Sequence, residues 1–413
     1  MNLMMLAIII KNRFFIGCVF VFVLHLYIFY IICQYQVIIF LLVIFEAFLT
    51  FIWNLTFHIL MILGLAPMDW FTDCAFRQIT KEIFDVYGEK EKYTLWLWTE
   101  FMNADGYIIN PTWVIKHLLT DTDQSPVIAQ IFWANEGMIM KCFDDIQSKY
   151  FHHWKLKIEN WKFSFAGIEL NMGCPARNVM NTWWWSALLK ERKQTLAIIK
   201  KLSWIMKIPL SIKTRTGRDE HDLKEQMNFL IEISTYVSMI TIHGRTVKQW
   251  YSADSNWDFI YKLKHKADKK CKILWNGGIK NYEDIASLAK NLDGVMIGQA
   301  AIGNPRIFTP HTPSREEIKE TILKHLDYMI SYENYFQDQK ASYQDMLSMP
   351  EHLPMNIRNP QAITLAEFRK HLFQYVKWIP WSKEFKQKVS TISEYNPLVQ
   401  EIQKFFENGD QNE

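Results

Sequence analysis

Between residues 61 and 310 the sequence keeps returning to one pattern. A short apolar run ends in polar or special residues, and a helix-like amphipathic stretch follows. Ile62 to Leu65 ends in Ala66-Pro67-Met68-Asp69 and leads into a helix from about Asp73 to Ile79. Val127 to Phe132 carries Gln130. Gly167 to Asn171 runs into Met-Gly-Cys-Pro, which breaks any regular element, before a helix-like run from Ser186 to Lys201. Pro209 to Thr214 carries Lys213, and Met239 to His243 ends on a histidine. Lys272 to Asn276 and Gly294 to Ile297 complete the series. Apolar strands alternating with helices specify parallel strands joined by crossovers, an α/β fold. Polar residues gathered at the carboxyl end of each strand fit a (β/α)8 TIM barrel, whose active site is built from those ends.

The flanks differ from this middle. Residues 1–60 hold two apolar runs, Phe14 to Cys33 with only His25 inside it, and Val37 to Trp53 broken by Glu46. The first is long enough to span a membrane, with Lys11 and Arg13 on the cytoplasmic side. The rival reading is a misplaced start, with upstream sequence translated into Ile, Phe, Leu and Tyr. The expected location is therefore cytoplasmic, or membrane-anchored if the segment is genuine. From about residue 311 the pattern turns helical. Ser314-Arg-Glu-Glu opens a helix with a capping serine and acids in the first turn, running through Ile330. Ala362 to Val376 and Ser382 to Ile392 read as further helices, and Gln400 to Glu413 as a frayed polar end. Three regions result: a hydrophobic segment 1–60, a barrel 61–310 and a C-terminal helical domain 311–413.

A net charge of +3 gives no global basic excess, so any surface for nucleic acid must be a local patch. Lys370, Lys377, Lys383, Lys386 and Lys388 are the densest candidate. Six cysteines without a CxxC pair or metal-ligand spacing fit a reducing compartment and predict no metal site.

The loop Asn171-Met172-Gly173-Cys174-Pro175, with Val179 and Ala187-Leu188-Leu189 after it, resembles the tRNA-dihydrouridine synthases, flavoenzymes that reduce uridine in tRNA. The resemblance extends in order through Ala66-Pro67-Met68-Asp69, Val127 to Phe132, Ser211 to Arg215, Thr241 to Thr246, Asn276-Gly277, Gly294 to Gly298 and Gly303-Asn304-Pro305. It departs at Asn178, where the family usually has lysine. The resemblance implies FMN as cofactor, NADPH as reductant, tRNA as partner and Cys174 as proton donor. It places FMN against Pro67, Met68, Gln130, Lys213, His243, Asn276, Gly277, Gly298 and Gln299, with Arg177, Arg215 and Arg245 toward the RNA. A monomer is expected. Each residue type suits its role. Gln130 offers donors and acceptors to a pyrimidine edge. Lys213 and His243 can answer negative charge on a reduced ring. Turns after strands can hold a phosphate on backbone N–H groups. Taken singly, Gln130 or His243 is an ordinary buried polar residue; only the ordered set makes a site. Two alternatives remain open at this point: another FMN barrel reductase related to dihydroorotate or dihydropyrimidine dehydrogenases, or a catalytically dead, membrane-anchored RNA-binding protein.

The chain has 17 tryptophans and 15 glycines. Trp70, Trp133, Trp183, Trp184, Trp185, Trp250, Trp275, Trp378 and Trp381 stand at or among positions where the family pattern has glycine, whereas Trp257 matches a family tryptophan. Tryptophan is the poorest substitute where backbone must approach a ligand or take positive φ. This selectivity suggests UGA codons that encode glycine in the native host and were translated as tryptophan. A chain that truly carried all nine would have a blocked pocket.

Overall fold

The computed structural model describes residues 60–133, 135–150, 165–173, 191–346 and 360–407. Strands β1 (Met61–Leu65), β2 (Tyr93–Trp98), β4 (Val127–Phe132), β5 (Phe165–Asn171), β6 (Leu210–Arg215), β7 (Met239–His243), β8 (Lys272–Asn276) and β9 (Gly294–Ile297) pair in parallel around a closed barrel. A two-residue strand, β3 (Met102–Asn103), adds to β4. Leu63 of β1 lies opposite Leu95 on β2 and Val295 on β9, and Leu97 opposite Val127 closes the ring between β2 and β4.

Both faces of these strands are covered, which is why the sequence shows near-continuous apolar runs. Ile62, Trp98, Ile128, Met239, Leu274 and Met296 come from six strands and pack into one cluster inside the barrel. The intervening positions, such as Leu63, Leu65, Ile240 and Ile273, pack outward. Around the barrel lie α1 (Cys74–Tyr87), α2 (Ala104–Ile109), α3 (Pro111–Val114), α4 (Glu136–Tyr150), α5 (Arg192–Ile205), α6 (Leu223–Ile233), α7 (Trp257–Lys266) and α8 (Glu283–Ala289). The tail forms α9 (Arg315–Met346), α10 (Pro360–Tyr375), α11 (Ser382–Val389) and α12 (Tyr395–Glu407). Residues 60–413 form one compact unit.

Five sequence expectations need correction, the first being that α9 runs to Met346 and not only through Ile330. Strand β2 was missed. Its Tyr-Thr-Leu-Trp-Leu-Trp alternates, but Trp98 is a large ring that fills the barrel centre beside Gly64, where an added Cβ would lie 2.9 Å from the indole. Helix α1 runs to Tyr87 rather than ending near Ile79, because Ile83 and Phe84 continue its buried face. Helix α5 extends to Ile205, four residues past the expected end at Lys201, and buries Leu202. Gln400 to Glu407 belongs to α12 and buries Ile402 and Phe406, so the expected frayed end does not begin at Gln400.

The capping box at Ser314 forms as expected. The Glu317 amide donates to Ser314 Oγ at 3.2 Å and the Ser314 amide to Glu317 Oε2 at 2.7 Å. Helix α9 packs on α10 and α1. Asp73 caps α1 by accepting from the Phe76 amide at 2.9 Å, and its second oxygen accepts from His371 Nε2 of α10 at 3.0 Å. Gly303 (φ 70°) lets the barrel's last turn approach α10, since a Cβ there would sit 2.4 Å from the Gln374 carbonyl carbon. The apolar runs of residues 1–59 lie outside the described residues; among the described residues, no helix is long and apolar enough to cross a membrane.

Candidate active site

The carboxyl ends of β1 and β5 to β9 surround a cavity of about 270 Å³. Ten residues selected by sequence line it: Pro67, Met68, Lys213, Arg215, His243, Arg245, Asn276, Gly277, Gly298 and Gln299. They span more than 230 residues of chain, and only closure of the barrel brings them together. Cys174 and Arg177 lie outside the described residues, as do Trp183, Trp184 and Trp185. Gly173, directly before Cys174, is on the cavity wall.

Hydrogen bonds fix the wall. Lys213 Nζ donates to Asn276 Oδ1 at 3.0 Å, and Asn276 Nδ2 donates to the Met296 carbonyl at 2.8 Å, tying β6, β8 and β9 together. Arg215 is almost fully buried. Its Nε donates to the Gly173 carbonyl at 2.9 Å, and Nη1 to the carbonyls of Thr246 at 2.9 Å and Trp250 at 3.0 Å. Those bonds make Arg215 a brace between Gly173 and the loop after β7. Gln130 is not on the wall. It is buried, with Nε2 donating to Glu169 Oε1 at 2.6 Å and Oε1 accepting from Asn171 Nδ2 at 2.9 Å. Asn171 does reach the cavity, so Gln130 stands one hydrogen bond behind it.

Lys213, Arg215, Arg245 and Lys280 put four cations around the cavity, and among the described residues no carboxylate lines it. Burial first, then the positive charges of Arg215, Lys213 and Arg245, push the His243 imidazole down to about 2. At that value the ring is neutral near pH 7. Arg245 Nη1 lies 3.2 Å from His243 Nε2. Because guanidinium only donates, Nε2 accepts and the ring proton is on Nδ1. Below the cavity, burial raises the Glu169 carboxyl to about 7, opposed mainly by Lys213. Ala66, Pro67, Met68, Ile279 and Met296 are apolar members of the lining. Gly277 (φ 102°) and Gly278 (φ 87°) form the turn after β8, and a Cβ on Gly277 would lie 2.8 Å from the His243 ring.

Sequence reasoning missed Asn171, Tyr251, Gly278 and Lys280 as lining residues. Asn171 and Gly278 adjoin residues it did select, and that adjacency was the available signal. Tyr251 stands in Gln249-Trp250-Tyr251, where the family pattern has Gln-Gly-Tyr, and that was its signal; Lys280 carried none.

A closed parallel barrel with a cation-lined cavity at the strand ends places the chain in the class of TIM-barrel proteins. The dihydrouridine synthase (Dus) family profile matches residues 64–409, and the chain belongs to that family. It is 29% identical over 252 residues to a probable tRNA-dihydrouridine synthase of Rickettsia typhi, covering 58% of this chain and 68% of the relative. Over 295 residues it is 28% identical to a probable tRNA-dihydrouridine synthase of Staphylococcus epidermidis, covering 68% and 81%.

Proposed function

We propose that the protein reduces the C5–C6 double bond of uridine in tRNA, with FMN as bound cofactor and NADPH as the source of electrons. The observation that carries this reading is the convergence of ten family-like positions on one cavity in a chain whose family match spans residues 64–409. The cavity's composition fits a flavin mononucleotide. Its apolar lining, with Pro67 and Met68, suits a flat ring. The cations suit a phosphate and a reduced ring. The left-handed Gly277-Gly278 turn leaves room that a Cβ would fill.

Pro67, Met68, Lys213, Asn276, Gly277, Gly298 and Gln299 would hold FMN, which when bound and reduced would supply hydride chemistry toward C6 of the uracil. The protein's own groups do the rest. Cys174 donates its thiol proton to C5, so the two hydrogens add across the double bond and the thiolate is reprotonated from solvent. A thiol with a reference pKa of about 8.5 is protonated at neutral pH and fit to donate. Arg215 and Asn171 position that thiol by holding Gly173 at its carbonyl and amide. Lys213 and Arg245 stabilise negative charge in the cavity, while neutral His243 accepts from Arg245. The uridine must leave its stack to enter. Arg177 and the basic residues of α10 and α11 are the surface for the RNA backbone.

The test incubates the full chain with NADPH, FMN and tRNA lacking dihydrouridine, and measures dihydrouridine by mass spectrometry. Two forms are tested, one with the tryptophans as written and one with glycine at the nine positions. Product from either form, lost in Cys174→Ala, supports the reading. NADPH oxidation without dihydrouridine from both forms refutes it.

A further inference from the structure

Among the described residues, four non-glycine positions have left-handed backbone: Trp70 (φ 69°), Trp250 (φ 53°), Lys290 (φ 44°) and Trp381 (φ 64°). Three of the four are tryptophan, which makes up 17 of 413 residues. For a bulky side chain this region is an outlier, and glycine enters it freely.

Each of the three sits in a turn that asks for glycine. Ile379-Pro380-Trp381-Ser382 is closed by the Ser382 amide donating to the Ile379 carbonyl at 3.3 Å, and Trp381 has φ 64° and ψ 7°. Proline second and a left-handed third residue define a type II turn, whose third position belongs to glycine. Met68-Asp69-Trp70-Phe71 is closed at 3.0 Å by the Phe71 amide and the Met68 carbonyl, and Trp70 is again third. Gln249-Trp250-Tyr251-Ser252 is closed at 3.0 Å, with Trp250 second. Positive φ there marks the mirror-image turns, dominated by glycine, asparagine and aspartate.

The rings are only partly packed, Trp70 under Lys370 and Trp250 edge-on to Tyr251. Trp70 is 57% exposed, Trp250 42% and Trp381 67%. All three also stand where the family pattern has glycine.

We infer that Trp70, Trp250 and Trp381 are glycine in the protein as its own cell makes it, encoded by UGA, a codon that one genetic code reads as tryptophan and another as glycine. The same decoding accounts for Trp183, Trp184 and Trp185, which lie outside the described residues. Trp133, Trp275 and Trp378 have no left-handed backbone, so for them the sequence pattern alone speaks. The inference rests on backbone angles and residue counts and does not depend on the proposed reaction.

It has a consequence for the site. Trp70 lines a second cavity, of about 220 Å³, two residues after Met68 leaves the first. The Lys370 ammonium lies 4.9 Å from the Trp70 ring centroid. With glycine there, that cavity is larger and Lys370 is released from the indole into a lining that also holds Asp73, Glu100, Glu333 and Glu367.

The test is peptide mass spectrometry of the full protein isolated from its native cells, with the codons of the gene read alongside. Expected are peptides with glycine at the three left-handed positions, UGA at their codons, and tryptophan encoded by UGG at Trp257. Tryptophan in the native peptide at any of the three positions, or UGG at its codon, overturns the inference.

Discussion

Replacing Trp381 with glycine is expected to stabilise the chain as written, against the usual effect of deleting a large side chain. A left-handed backbone costs an L-residue about 1–2 kcal/mol. Glycine costs roughly 0.5–1 kcal/mol through its freer unfolded chain. The ring is 67% exposed and makes little buried contact to lose. Trp381 also precedes α11 as its N-cap and gives no side-chain hydrogen bond there, a position glycine fills well. The net expectation is a gain of about 0.5–1 kcal/mol. Two controls isolate the cause. Trp381→Ala removes the ring and keeps the strained angle, so it brings no gain. Trp378→Gly, three residues away, removes a ring that is 86% exposed on backbone that is not left-handed. It is expected to cost roughly 0.5–1 kcal/mol. Urea unfolding of the three variants reads all these shifts at constant slope. Equal midpoints for Trp381→Gly and Trp381→Ala, or a fall in both, would refute the argument from backbone strain.

Gly303→Ala is expected to cost more than about 2 kcal/mol, because it adds left-handed strain to a collision with the Gln374 backbone; urea unfolding checks this. Gly277→Ala is expected to reduce bound flavin in the purified protein, since its Cβ would press on His243, while far-UV circular dichroism stays unchanged; flavin absorbance at wild-type level would contradict the cofactor placement. Asp73→Ala removes the α1 cap and the partner of His371, for roughly 2–4 kcal/mol in urea unfolding. For pH, burial first and then the neighbouring His325 hold the His371 imidazole down to about 4. Its contribution to stability is full above an unfolded value of about 6.5 and is lost as pH falls toward the folded value. His371→Gln is therefore expected to flatten the decline of the urea midpoint across that window.

The barrel was legible because its strands are covered on both faces. Continuous apolar runs such as Val127 to Phe132 and Met239 to His243 have no other economical burial, and their ends fell where the sequence put them. The polar residues at those ends were legible for the same reason, as each stands where a buried run stops. Beyond that, local sequence carries no record of distance. That Gln130 would spend its amide on Glu169 and Asn171, or Arg215 its guanidinium on three carbonyls, depends on which strands become neighbours. Asp73 and His371 are 298 residues apart and meet only because α10 folds back onto the start of α1. The sequence by itself determined the alternation, the strand ends and the set of tryptophans standing among glycine positions. Tertiary structure alone decided which side chains share the cavity and which tryptophans sit in left-handed turns, because both follow from chain closure and backbone angle, which no local pattern encodes.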